Sequence, residues 1–251
     1  MPLYVGSQKI ETLSAGGRKV REGWVWNGSA WKKVFSAAVP PFGFVYEFNT
    51  AYPDSLGPAW AYISGVKGRV ADGHIVLAAM GTTGKVAFWY RPTDVVAPQD
   101  DVVVGFRLTA PTPYALADNN ETIVALRCTD DASTNDGVWA VFMGGKARIM
   151  TMIGGTQTPR GLGGTYPLDV DLEFRAVGRT FSVVRLDTQA VITSWPDSAN
   201  ESKMDAAHRA FKIALTGNYP LFQQQYNSPA IDRFEARTQR ITQFGDLVAP
   251  R

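Results

Sequence analysis

The chain has 251 residues with 25 Lys or Arg against 23 Asp or Glu, so its formal net charge at pH 7 is +2. This balance, without a basic cluster, argues against nucleic-acid binding. The sequence has enough apolar residues, 45%, for a globular core, but contains neither a membrane-spanning stretch nor the pattern of a secretion signal.

The N-terminal part of the chain contains a short hairpin between Val20 and Phe35, preceded by two short strand-like stretches at residues 3–6 and 9–13. Trp24 and Trp26 are two residues apart, Trp31 continues the spacing, and Asn27-Gly28 between them is a strong hairpin turn signal. Alternate side chains of a strand share one face, so the pattern predicts an aromatic face. Because an isolated hairpin is marginal in water, we expect Trp24, Trp26 and Trp31 to form an assembly interface.

Two stretches of this N-terminal part carry a family resemblance. Tyr4-Val5-Gly6-Ser7-Gln8-Lys9-Ile10 and the run from Trp24 to Val34 resemble the opening segment of minor tail proteins from phages of mycobacteria and related actinobacteria. The resemblance implies a virion component at the tail tip, assembled with other tail proteins in the cytoplasm of the host bacterium. It also implies a homo-oligomer, for which a trimer is favoured.

A linker follows the hairpin. The stretch from Ser36 to Gly43 combines small residues with Pro40-Pro41, and a proline pair stiffens the backbone toward polyproline II. We therefore expect an attachment or oligomerisation segment at residues 1–39 and one main domain at residues 40–251.

The main domain is predicted to be all-β. Short runs rich in β-branched and aromatic residues, separated by turn signals, predict about a dozen strands, at residues 44–48, 73–78, 85–90, 101–108, 122–128, 137–143, 146–152, 170–176, 179–186, 189–195, 211–216 and 230–236. This spacing is typical of a jelly-roll β-sandwich. One short helix is predicted, capped at Ser202 and running toward Phe211.

The strand pattern carries a second resemblance. A strand opening at Tyr46-Glu47-Phe48, a long antiparallel series and a closing Ile231-Asp232-Arg233-Phe234 resemble the concanavalin-A-like lectin and glucanase sandwich and its laminin-G-like relatives. In that family the last strand returns to pair near the first. The resemblance implies a lectin-like domain for glycans.

The sequence offers few residues for catalysis. The two histidines, His74 and His208, lie in no nucleophile motif. The glucanase branch of the resembled family carries two acids on one strand, and the nearest pattern here is Asp169-Val170-Asp171-Leu172-Glu173. Its residue order is altered, so charges on a half-solvated strand are the simpler interpretation.

Two kinds of binding site remain as candidates. The loop with Asp130, Asp131 and Asp136 is rich in oxygen ligands, which calcium prefers, although such residues are also common in turns. Trp60 and Tyr114 lie among predicted loop residues and are the candidate sugar-stacking aromatics, whereas Trp89 and Trp139 lie in apolar runs typical of a core.

Together these features predict a non-enzymatic phage minor tail protein. We expect it to attach through its N-terminal segment and to display a lectin-like sandwich that binds host envelope glycans or braces the tail tip. Two alternatives stay open, a glycan-cleaving tail hydrolase that uses Asp169, Asp171 and Glu173, and a purely structural virion component.

Overall fold

The computed structural model describes residues 42–78, 84–93, 95–112, 114–131, 136–161, 163–221 and 224–238, together with the backbone of six short strands within residues 1–41. The chain divides into two compact units, Met1–Pro41 and Phe42–Arg251. The division falls in the Pro-Pro linker.

The first unit consists of three antiparallel strand pairs. Its strands are β1 (Tyr4–Val5), β2 (Gln8–Lys9), β3 (Leu13–Ala15), β4 (Arg18–Val20), β5 (Glu22–Trp26) and β6 (Trp31–Ser36). β5 and β6 form the hairpin expected around the tryptophans, with Trp26 opposite Trp31. The predicted turn at Asn27-Gly28 and the side chains of Trp24, Trp26 and Trp31 lie outside the described residues.

The second unit is built almost entirely of strands. They are β7 (Gly43–Glu47), β8 (Trp60–Gly65), β9 (Gly68–Ala71), β10 (His74–Leu77), β11 (Gly84–Pro92), β12 (Val102–Thr109), β13 (Ala115–Leu116), β14 (Thr122–Cys128), β15 (Gly137–Met143), β16 (Lys146–Ile153), β17 (Thr156–Pro159), β18 (Gly164–Thr165), β19 (Asp171–Val177), β20 (Thr180–Arg185), β21 (Val191–Pro196), β22 (Ala210–Tyr219), β23 (Tyr226–Asn227) and β24 (Ala230–Arg237).

These strands form two sheets of a jelly-roll sandwich. In the described part of the chain the first sheet has the order β21-β20-β19-β12-β24-β10-β9, with β7 also paired to β24. The second has the order β13-β23-β22-β14-β15-β16-β17, with β11 between β22 and β8, and β18 beside β16. All these pairs are antiparallel except β13 with β23. The predicted all-β sandwich is confirmed.

Alternation along the strands builds the core between the sheets. On β12, Val104, Phe106 and Leu108 are buried in this core, and on β15 Val138, Ala140 and Phe142 are their counterparts from the second sheet. Phe106 and Phe142 meet edge to face with ring centroids 5.3 Å apart. Aromatic pairs of this geometry contribute beyond the area that they bury. The residues between them on each strand therefore point to the outer faces.

The closing strand returns to the start of the domain, as the resemblance implied. β24 pairs with β12 on one side and with β7 on the other, where Phe234 lies opposite Tyr46. β24 also pairs with β10, so all three of its strand partners come from distant parts of the chain. Side chains from residues 47, 107 and 233 consequently converge on one outer face.

The predicted helix is shorter than expected. A single 3₁₀ turn, Ala206–His208, is capped by Asp205, whose side chain accepts a hydrogen bond from the N–H of Ala207. Ser202 donates to Asp197 instead, and Phe211 already belongs to β22. No helix among the described residues has the length and apolar character of a membrane span.

Candidate functional site: a polar pocket at the bulge of the last strand

A β-bulge on β24 shapes the outer face of the first sheet. Arg107 pairs with Arg233 and Leu108 with Ile231, so Asp232 is the extra residue of the bulge. As a result Asp232 and Arg233 are both only partly buried, between the buried Ile231 and Phe234. Bulges re-aim side chains in this way and are common beside functional sites.

The sheet also opens at the same point. Along one side of β24, Arg233 pairs with Glu47 of β7, whereas Ile231 pairs with Ile75 of β10. Asp232 lies between these two pairings. A pocket of about 330 Å³ occupies the opening, lined by Glu47, Asn49, Gly73, His74, Arg107, Asp232 and Arg233. Its volume is at the lower end of the range for small-ligand sites.

The hairpin from β9 to β10 brings His74 to the pocket. Asp72 and Gly73 form its two-residue turn, with φ values of 51° and 80°. Two positive φ angles are the requirement of a type I′ turn, and Asp-Gly is a favoured sequence for it. Because His74 immediately follows this turn and Ile75 is buried, the imidazole lies on the outer face.

Several polar atoms at the pocket have unused hydrogen-bonding capacity. Nδ1 of His74 and Nε of Arg233 are buried and form no hydrogen bond with any other part of the chain that the structure describes. Buried polar atoms are nearly always partnered. At the rim, Oε2 of Glu47 accepts a hydrogen bond of 3.1 Å from Nδ2 of Asn49. Hydrogen-bonding residues of β7, β10, β12 and β24 therefore surround one small volume.

Two ion-pair clusters extend from the pocket across the outer face. Nε and Nη2 of Arg107 both lie 2.9 Å from Oδ1 of Asp171. Nη2 of Arg233 lies 2.9 Å from Oε2 of Glu235. Arg237 contacts both Glu235 and Glu173, and Arg175 also binds Glu173 at 2.7 Å. Each of these arginines thus has a carboxylate partner.

The negative charge of Asp232 is balanced less well by nearby guanidinium groups than the charges of the other acids in these ion pairs. Its nearest guanidinium contact is Oδ2 to Nη1 of Arg107 at 3.8 Å. Burial raises the pKa of Asp232, and the neighbouring Asp171 and Asp169 raise it further, while Arg107 and His74 lower it only in part. A partly buried acid with a raised pKa in a cleft is a recognised mark of a functional site.

The acids predicted for hydrolysis lie beside this pocket but do not share one strand face. Asp169 precedes β19 in a left-handed conformation with φ of 60°. The alternation of side chains that was expected from Asp169 therefore begins only at Asp171. Asp171 and Glu173 point to the outer face, where arginines bind both. Glu173 is only 2% exposed.

The predicted sugar-stacking aromatics take different positions from those expected. Trp60 begins β8, is 5% exposed and packs on Phe234 with ring centroids 5.2 Å apart, which places it in the core. Tyr114 is half-buried, and its hydroxyl accepts a hydrogen bond of 3.1 Å from Arg69. Arg69 also lies over the Tyr114 ring. Neither residue lines the polar pocket.

Trp89 and Trp139 form a separate apolar cluster on the outer face of the second sheet. They meet with ring centroids 5.0 Å apart and share the cluster with Ile123, Ala125, Cys128, Val141, Met150, Met152, Ala210 and Ala214. Trp139 is 4% exposed and Trp89 is partly buried. The packing of Trp139 agrees with the core position that its apolar run predicted.

The acidic loop does not fit a calcium site in its described part. Oδ1 of Asp130 is 2.7 Å from Nη1 of Arg91, the carbonyl of Asp131 accepts from the buried Lys212 ammonium, and Oδ2 of Asp136 accepts from the N–H of Gly154. Two cations thus face the oxygens that calcium would need. In the described ranges no group of three or more His, Cys, Asp or Glu could hold a metal ion.

Comparisons with known proteins give distant likenesses among solved structures. No family model and no curated protein matches the chain. Among solved structures, the CBM2 module of the evolved Dit of Lactobacillus casei BL23 phage J-1 is 11% identical, with 82% of this chain and 100% of that chain covered and a TM-score of 0.48. The carbohydrate binding module CBM66 from Bacillus subtilis is 10% identical, with 68% and 93% covered and a TM-score of 0.45. SCLam, a non-specific endo-β-1,3(4)-glucanase from family GH16, is 11% identical, with 96% and 95% covered and a TM-score of 0.48. At these identities the likeness concerns the sandwich alone.

Proposed function

We propose that this chain is a non-enzymatic, lectin-like phage minor tail protein that binds a host envelope glycan through the polar pocket at the β24 bulge. The convergence of hydrogen-bonding groups from Glu47, His74, Arg107, Asp232 and Arg233 on about 330 Å³ carries the proposal. Small-ligand sites combine a shaped cavity with a few placed polar groups. Because its lining side chains are polar rather than aromatic, the pocket would hold a sugar by its hydroxyl groups.

A binding experiment with the full chain tests this function. Wild-type protein is incubated with host cells and with isolated envelope polysaccharides, and bound protein is measured against protein concentration. We expect saturable binding that is weakened about tenfold or more in the Glu47→Ala/His74→Ala variant. The matched control is Lys146→Ala, an exposed side chain on the second sheet. Wild-type binding to none of the polysaccharides would contradict the proposal.

Calcium is not required in this account, since the Asp130 loop already pairs with Arg91. The same binding experiment in the presence of a chelator should give unchanged affinity. Loss of binding on chelation would instead assign a role to metal ions.

The role of residues 1–39 as an attachment segment belongs to the same proposal. Its support is the resemblance to tail proteins and the division of the chain at Pro41. Deleting residues 1–39 should leave a folded domain that still binds glycan but no longer joins virions. If the full chain is a homo-oligomer, a trimer being favoured, light scattering should report a monomer for the deletion variant.

Glycan hydrolysis is the second candidate function, and one arrangement favours it. Asp171 and Asp232 lie on either side of the Arg107 guanidinium, and burial raises the pKa of Asp232. Glycosidases use two carboxyl groups in different protonation states. However, Arg107 occupies the space between them. Release of reducing ends by wild type, lost in both Asp171→Asn and Asp232→Asn, would establish hydrolysis in place of binding.

A further inference from the structure

We infer that the polar pocket is specific for a cationic saccharide, with Glu47 and Asp232 receiving the protonated amino group of an amino sugar. This inference rests on the proposed glycan-binding function and names the chemical class of its ligand. It follows from the charge arrangement around the pocket.

The outer face carries four carboxylates and four guanidinium groups in two ion-pair clusters. One joins Arg107 with Asp171 and Asp232, and the other joins Glu173 and Glu235 with Arg175, Arg233 and Arg237. Glu47 lies on the same face, opposite Arg233, outside both clusters. The guanidinium groups are concentrated on three of the acids. Glu173 binds Arg175 and Arg237, Glu235 binds Arg233 and Arg237, and Asp171 takes two nitrogens of Arg107.

The remaining negative charge lies in the pocket lining. Within the described part of the chain Glu47 has a hydrogen bond from Asn49 and no ion pair, and Asp232 has only the 3.8 Å approach of Arg107. The two arginines of the lining are already paired with Asp171 and Glu235. An anionic ligand would therefore meet uncompensated carboxylates rather than free guanidinium groups.

Partial burial makes an added cation favourable at this point. The Asp232 side chain is 23% exposed, and its surroundings disfavour the charged form. An ammonium group brings one positive charge and three donors, and charge-assisted hydrogen bonds are about twice as strong as neutral ones. A neutral sugar brings hydroxyl groups but leaves the charge of Asp232 uncompensated.

The other lining groups suit the remainder of a sugar. The guanidinium groups of Arg107 and Arg233, whose side chains are 38% and 42% exposed, can donate hydrogen bonds to hydroxyl oxygens. A metal ion fits less well, because the described residues offer no group of three ligating side chains that could hold it. A single ammonium on a polyhydroxy ring matches both the charge and the donors.

Glucosamine and N-acetylglucosamine form a matched probe pair, since acetylation removes the positive charge and retains the ring. Each is titrated into the full chain and followed by protein-observed NMR at neutral pH. We expect glucosamine to bind at least about tenfold more tightly than N-acetylglucosamine. Added salt should weaken the binding of glucosamine. Asp232→Asn and Glu47→Gln should each remove most of this preference. Asp187→Asn changes an exposed acid between β20 and β21 and should have no effect.

Four results would overturn the inference. Equal binding of the two sugars, or unchanged glucosamine binding in Asp232→Asn, would show that the pocket does not discriminate ligands by their charge. If neither monosaccharide binds while an envelope polysaccharide without amino groups is retained, the ammonium preference fails and the glycan-binding function stands. Failure of every saccharide, charged or neutral, would reject both.

Discussion

Arg107 and Asp232 face each other across the β24 bulge, with Nη1 of the arginine 3.8 Å from Oδ2 of the aspartate. The same guanidinium lies 2.9 Å from Asp171, so Asp232 is left with the weaker contact. Without the bulge residue, alternation would place only one of positions 232 and 233 on this face. The pocket therefore depends on one extra residue in the closing strand.

The stability of Asp232→Asn should depend on pH in a defined direction. The pKa of Asp232 is raised in the folded chain, so the folded state binds more protons than the unfolded state. Ionisation of Asp232 therefore lowers the stability of the fold as pH rises toward and through the pKa of the folded state. This loss of stability is absent below the pKa of the unfolded state, about 3.9. The variant should melt at a higher temperature than wild type at pH 7, and the difference should vanish near pH 3.5. A lower melting temperature at pH 7 would show that Asp232 is well compensated.

Gly105 should tolerate no side chain while Glu235 is present. It lies between Glu173 and Glu235 in the sheet, and an added Cβ would be 2.8 Å from Cγ of Glu235. Gly105→Ala should lower the free energy of unfolding by about 1–3 kcal/mol, because the ion pair with Arg237 must move. In a Glu235→Ala background the same change should be neutral or stabilising, since alanine is favoured over glycine in a strand. Urea unfolding of the four proteins measures the coupling.

Arg127 should be among the most important polar residues for stability. It is 2% exposed, bonds Oγ of Ser202 at 3.0 Å and the carbonyl of Gly178, and lies 4.8 Å over the Phe181 ring. It thus connects β14 of the second sheet to the β19–β20 hairpin of the first.

Arg127→Ala should lower the free energy of unfolding by about 3–5 kcal/mol, as for a broken buried charge network. The exposed Arg148 on β16 is the control, and its alanine variant should change stability by no more than about 0.5 kcal/mol. A loss below about 1 kcal/mol for Arg127→Ala would mean that water replaces its partners.

Cys128 should be inert in the folded chain. Its thiol is fully buried, and burial raises its pKa to about 12, while the thiolate is the reactive form. Alkylation by iodoacetamide at pH 8 should be on the order of 100-fold slower than in denaturant. Mass spectrometry of the modified fraction measures it, and rapid native modification would place the thiol at the surface.

The strands could be predicted because alternation and turn residues act locally. The Gly144-Gly145 turn is an example, with φ values of 57° and 69° between β15 and β16. The sequence pattern does not predict β8 and β9, nor the core position of Trp60 in β8. A tryptophan in a weakly patterned stretch is equally compatible with a loop, and only its packing partners decide.

The pocket could be anticipated only in part. Ile231 and Phe234 are both buried and are three residues apart, so the two polar residues between them break the period of two. That spacing is the sequence signal of the bulge. The residues on the other side of the pocket, Glu47 on β7 and His74 on β10, lie more than 150 residues before Asp232 in the sequence. No local pattern predicts that they meet.

Hydrogen–deuterium exchange of the full chain with and without bound envelope polysaccharide tests the glycan site most directly. We expect protection in peptides covering residues 45–49, 72–76 and 230–235, which surround the pocket. Protection confined to residues 86–91 and 137–142, around Trp89 and Trp139 on the opposite outer face, would contradict it.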